Sequence, residues 1–115
     1  MLNYKKIISR LLDQNIYILS NDDKEAIIID PGLGFDLIDR YLKSENLSPI
    51  AVLATHAHID HIASANDCIK NYNIPFYICR GNSIMLDHYD IMKGYMHVDS
   101  EKPEVSHWIE DSDKK

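Results

Sequence analysis

The sequence predicts an α/β (α+β) fold: a mixed sheet that opens as a meander of strands and then alternates with helices packed on one face. Three observations carry this expectation. Apolar runs of strand length recur from residue 4 to residue 79, and two of them, Ile27-Ile28-Ile29 and Ile50-Ala51-Val52-Leu53-Ala54, are apolar throughout. Unbroken apolar runs of that length belong to strands buried on both faces. Turn-forming residues separate the runs, and two longer stretches repeat their apolar positions at helical spacing.

Taken in order, residues 4–11 and 15–20 read as two strands with Asp13-Gln14-Asn15 as the turn between them. Asn21-Asp22-Asp23-Lys24 is a second turn and 25–30 a third strand, ended by Pro31-Gly32. From Phe35 to Ser44, Leu37, Ile38, Tyr41 and Leu42 recur with helical period. Ser48-Pro49 opens the next strand, 50–54. A second helix is predicted from about residue 62 to Tyr72, where Ile62, Ala65, Ile69 and Tyr72 share a face. Asn73-Ile74-Pro75 stops it before a short strand, Phe76-Tyr77-Ile78-Cys79, and a weaker helix is predicted over 83–88. Beyond Lys93 the periodic signal fades. The expected organisation is a half-domain over 1–99 followed by a polar segment, 100–115. Two helices can cover one face of the sheet, and no other segment is patterned to cover the second, so the sequence reads as half of a layered domain.

Bulk properties narrow the function classes. At 115 residues with 45% apolar content, the chain is of single-domain size and not disordered. Eighteen acids against twelve bases give a net charge of −6 with no basic stripe, which argues against nucleic acid as a partner. No apolar run approaches the roughly 18 residues of a membrane span, and Ser9-Arg10 interrupt the first apolar stretch too early for a signal-peptide core. A cytoplasmic protein with no membrane partner is expected. Cys68 and Cys79 lack a second pair or a CxxC spacing, so they read as two small buried side chains, neither a zinc knuckle nor a disulfide.

The chemistry concentrates in Thr55-His56-Ala57-His58-Ile59-Asp60-His61-Ile62, which holds three of the six histidines and a carboxylate directly after a strand. Imidazole and carboxylate are the ligands preferred by zinc and its first-row neighbours. In extended chain, His56 and His58 project to the same side and can converge on one ion. Asp60 and His61, after the chain turns, can serve the same cavity or a second ion. Two ions about 3.5–4 Å apart can hold a bridging hydroxide and polarise a carbonyl or phosphoryl group. Asp60 can also orient or deprotonate the attacking water. HxH also occurs in amidohydrolase barrels, but those need about 250 residues, and the HxE with PCxxC of zinc deaminases is absent.

This run resembles the HxHxDH signature of the metallo-β-lactamase fold superfamily. The similarity extends upstream to Ile27-Ile28-Ile29-Asp30-Pro31-Gly32 and downstream to Ile74-Pro75-Phe76-Tyr77, covering about residues 4–78. The spacing is most similar to that of the glyoxalase II-like hydrolases. The resemblance implies the N-terminal half of an αββα sandwich and one or two zinc ions, with iron or manganese as alternatives. It implies an ester- or thioester-type small-molecule substrate cleaved by metal-bound hydroxide. By position, His56 and His58 match ligands of the first metal, Asp60 and His61 ligands of the second, and Asp30 a residue that supports the ligand loop from behind. On physical grounds alone, Asp30 can equally cap or buttress the turn that follows it.

The departures are as informative. The family completes its site with a further histidine in a Gly-His-Thr context, a bridging Asp and a later His. The remaining histidines here, His88, His97 and His107, have no such context, and His88 and His107 read as surface or core residues. The usual Gly-Gly after the motif is Ala63-Ser64, which alters the approach to the metal. No segment matches the region that binds glutathione in glyoxalase II-type enzymes. Two further readings therefore stand beside a truncated hydrolase. One is a non-catalytic module that needs a second chain to complete the metal site; the other is a homodimer of two such halves.

Overall fold

Strict alternation in a single strand sets the architecture. In β2 (Asn15–Ser20), Ile16, Ile18 and Ser20 are buried while Asn15, Tyr17 and Leu19 are half-buried, so the sheet has one dry face and one partly wet face. The structure, a computed structural model, describes residues 3–9, 14–55, 62, 64–79, 103 and 105–109. Within them, β1 (Asn3–Ile8), β2, β3 (Glu25–Ile29), β4 (Ser48–Ala54), β5 (Phe76–Cys79) and β6 (His107–Ile109) form one sheet, its strands lying side by side in chain order. β1, β2 and β3 are antiparallel neighbours, whereas β3 through β6 run parallel. The predicted mixed sheet is therefore observed.

Helices α1 (Phe35–Ser44) and α2 (Ala65–Tyr72) supply the crossovers. Both bury one stripe in the same cluster: Ile38 and Leu42 of α1, Ala65 and Cys68 of α2, and Ile16, Ile18, Ile28, Val52, Phe76 and Ile78 of the sheet. Each helix stops for a local reason. Beyond α1, Asn46 takes a left-handed conformation (φ 57°), and the N–H groups of Asn46 and Leu47 return to the carbonyls of Lys43 and Leu42. Beyond α2, Asn73 does the same (φ 55°), and Pro75 follows two residues later. The helices also touch each other. The Phe35 and Tyr72 rings lie 5.6 Å apart, and the Tyr72 hydroxyl donates to Asp39 Oδ1 at 2.7 Å.

The opposite face carries Tyr17, Leu19, Ile27, Ile29, Ala51, Leu53 and Tyr77, all half-buried. The unbroken apolar runs of β3 and β4 thus meet a dry core on one side only. Pro49 lacks an N–H for the ladder, and the β3–β4 register slips beside it, so that Ala26 pairs with Pro49 but Ile27 pairs with Ala51. Ile50, skipped by this bulge, is left 43% exposed. The sequence expectation differs from the structure in two further places. The first strand ends at Ile8, with residues 10–13 outside the described residues, and β6 arises where no strand is predicted. The helix expected over 83–88 also lies outside the described residues.

Candidate metal centre

Parallel strands share a carboxyl end, and in parallel sheets that end is where ligands bind. Here Asp30 follows β3 and Thr55 follows β4, which puts the start of the histidine cluster at that edge. Asp30 is 6% exposed and left-handed (φ 52°), a conformation that Asp tolerates better than most residues. Its backbone N–H extends the sheet ladder to the Leu53 carbonyl at 2.9 Å. Its carboxylate reaches across to the neighbouring strand end. Oδ1 accepts from the Thr55 N–H at 2.7 Å and Oδ2 from the Thr55 hydroxyl at 2.6 Å. Both distances are typical of charge-assisted bonds, the kind that makes a buried carboxylate tolerable.

The loop Pro31-Gly32-Leu33-Gly34 is held from both sides. Ser9, 2% exposed, accepts from the Leu33 N–H at 2.9 Å and donates to the Leu33 carbonyl at 3.3 Å. From the other side the Ser64 N–H donates to the Gly32 carbonyl at 2.5 Å, and Ser64 Oγ accepts from the Gly34 N–H at 3.0 Å. Gly32 (φ +56°) is required twice over. Its conformation suits glycine, and a Cβ would stand 2.8 Å from Ser9 Oγ and press on the Gln14 side chain.

His56, His58, Asp60 and His61 lie outside the described residues. The structure describes the two ends of their segment, Thr55 and Ser64, and bonds both to residues 30–34. Among the described residues no three His, Cys, Asp or Glu side chains gather at one point. The donor chemistry of the four cluster residues fits a first-row divalent ion, imidazole and carboxylate being its usual partners. Asp30 has both carboxylate oxygens engaged by Thr55, the last described residue before His56. The partnership of Thr55 and Ser64 with the 30–34 loop escaped the sequence reading, although a hydroxyl residue on each side of a histidine-rich run is the one local hint of it. Cys68 is a buried free thiol whose pKa burial pushes up, in keeping with its reading as a core residue.

The model of the metallo-beta-lactamase superfamily matches residues 9–114. The chain belongs to this superfamily. Among curated relatives it is 39% identical over 67 residues to a probable metallo-hydrolase, YqgX, of Bacillus subtilis, covering 58% of this chain and 31% of that protein. It is 43% identical over 65 residues to a hydroxyacylglutathione hydrolase of Buchnera aphidicola, covering 56% of this chain and 26% of the relative. Among solved structures, the BLEG-1 B3 metallo-beta-lactamase superposes on 95% of this chain with a TM-score of 0.80 at 32% identity. The protein TTHA1623, solved in a di-iron-bound form, superposes on 90% with a TM-score of 0.79 at 21% identity, a likeness of fold. These matches take in about half of the solved chains, 54% and 52%, and a third or less of the two curated relatives. The expected metallo-β-lactamase fold is therefore observed, over the part of it that this chain matches.

Proposed function

We propose that the chain carries the N-terminal ligand set of a metal-dependent hydrolase acting on a small ester or thioester, of the glyoxalase II-like kind. The observation that supports this most is the Asp30–Thr55 pair, which secures the residue immediately before His56 at the carboxyl end of the parallel strands. In this reading His56 and His58 hold one ion, and Asp60 and His61 hold a second or complete the first. Zinc suits the donors, and iron or manganese are the alternatives. A bound divalent ion lowers the pKa of water and polarises the scissile carbonyl. Asp60 orients the attacking water or takes its proton, and Asp30 keeps the ligand segment in register with the sheet through Thr55. The free thiol of Cys68 suits a reducing cytoplasm.

The hydrolase reading is tested by elemental analysis of the purified chain, with His58→Ala as control, alongside hydrolysis of small acyl thioesters and aryl esters. Stoichiometric metal lost in His58→Ala supports the ligand set, and metal-free wild type sinks it for this chain. A second reading is favoured by the half-buried apolar face of Tyr17, Leu19, Ile27, Ile29, Leu53 and Tyr77, with Ile50 43% exposed beside it. It holds that the chain is a module whose site is completed by a second chain, either another copy or a complementing C-terminal half. Light scattering separates the two. A stable monomer with full metal content favours the hydrolase reading, whereas association that Leu53→Lys abolishes favours the module.

A further inference from the structure

Ser64 occupies the first position before α2, where a serine ordinarily turns its hydroxyl onto the helix it precedes. It does not do so here: no side-chain bond caps α2. The hydroxyl instead accepts from the N–H of Gly34, at 3.0 Å, and Gly34 is itself the residue that precedes α1, likewise without a side-chain cap of its own. The starts of the two helices are thus tied by one buried hydroxyl, 1% exposed, and by the Ser64 N–H to Gly32 carbonyl bond at 2.5 Å. The N-terminal side of the segment 56–63 is tied to the same loop through Thr55 and Asp30. The loop in turn is anchored from outside by Ser9. Two ties that end on one anchored loop fix where Thr55 and Ser64, the described residues that flank 56–63, stand relative to each other.

We propose that Ser64 is a positioning residue for the candidate metal centre. Its hydroxyl and amide lock the far end of the ligand-bearing segment as Asp30 locks the near end, so the ligands meet the ion already spaced for it. The inference rests on the reading of His56, His58, Asp60 and His61 as ligands and adds the second of two clamps. Glycine or alanine at position 64 keeps the amide tie but leaves the Gly34 N–H without its hydroxyl acceptor, so Ser64's end of the clamp loses one of its two bonds. Residues that only fix the geometry of ligands typically change metal affinity about 10–100-fold when removed.

Cobalt(II) titration of the metal-free chain tests this, because the intensity of the visible cobalt bands reports coordination geometry without any substrate. Ser64→Ala is expected to weaken cobalt binding about 10–100-fold and to alter those bands. Ser64→Thr, which keeps a hydroxyl, should stay within a few-fold of wild type. Ile38→Val, a core change remote from the loop, should lower stability and leave the affinity unchanged. A second measurement needs no variant: amide exchange of Gly34 in the wild-type chain should slow at least about tenfold on zinc loading, as the clamp tightens around an occupied site. Wild-type cobalt affinity and spectrum in Ser64→Ala, or Gly34 exchange indifferent to zinc, would overturn the proposal and leave the metal reading standing. A wild-type chain that binds neither ion overturns the metal reading and this proposal with it.

Discussion

Asp30 shows how much one residue can organise. A single carboxylate takes both the N–H and the hydroxyl of Thr55, a residue 25 positions further along the chain. Asp30→Ala removes both bonds to Thr55, an exposed residue whose donors water can then reach, so the loss should be about 0.5–1.5 kcal/mol for each bond. Urea denaturation of the metal-free protein should show a loss in that range, and zinc competition a fall in affinity of about 10–100-fold. Tyr72 and Asp39 offer a second test. Hydrogen bonds from Lys43 and Tyr72 hold the Asp39 carboxyl below its ordinary range, and burial together with the bond to Asp39 pushes the Tyr72 phenol up. The Asp39 contribution is therefore present above about pH 4 and lost as acid titrates the carboxyl in the folded state. The Tyr72 contribution is present below about pH 10 and lost as alkali titrates the phenol. Burial raises the Tyr41 phenol too, so ultraviolet titration should reveal late-titrating tyrosine signal, of which Tyr72→Phe removes the part that stays neutral longest. The stability gap between wild type and Tyr72→Phe should shrink below about pH 4. Neither pairing is visible in sequence, because each joins residues that no local period relates; the Asp-Pro-Gly ending of β3 marks Asp30 as special without naming Thr55.

At the scale of elements, the helices are held by their apolar stripes more than by their ends. Leu42, 2% exposed, packs in the cluster beneath the first crossover. Leu42→Ala should cost about 2–5 kcal/mol, read from the shift in the denaturation midpoint, and the exposed Lys43→Ala should cost far less. Gly32→Ala forces a left-handed alanine, about 1–2 kcal/mol before any crowding by Ser9, and should lower the melting temperature more than Gly34→Ala. The five longer strands and both helices were legible because their periods are local properties: alternation in β2, and the spacing of Ile38 and Leu42 in α1. β6 was not legible. His107–Ile109 is three residues long, and only pairing with β5 makes it a strand. The bulge beside Pro49 was hidden for a related reason, since proline warns of a missing donor but does not say which neighbour slips. The four ligand residues were legible as chemistry, whereas the two ties that flank them depend on contacts between loops far apart in sequence.

At the scale of the whole molecule, the described sheet combines a dry helix-covered face with an apolar face that is only half-buried, and the chain matches about half of the solved chains of BLEG-1 and TTHA1623. Its strands have one further property. Among the described residues they lie across the sheet in the same order in which they occur in the chain, β1 to β6, with no described strand inserted between two earlier ones. A polypeptide emerging from a ribosome can therefore add each new strand to an edge already in place, without reopening a finished pair. Growth of this kind is vectorial, and it leaves a single advancing edge exposed at every stage. Pulse-labelled hydrogen exchange during refolding should find the β2–β3 hairpin protected first, β4 after the α1 crossover has closed, and β5 last of the three. Ribosome-bound chains halted late enough for Ala54 to have left the exit tunnel should already protect the β2–β3 amides, while chains from which only Ser20 has emerged should not.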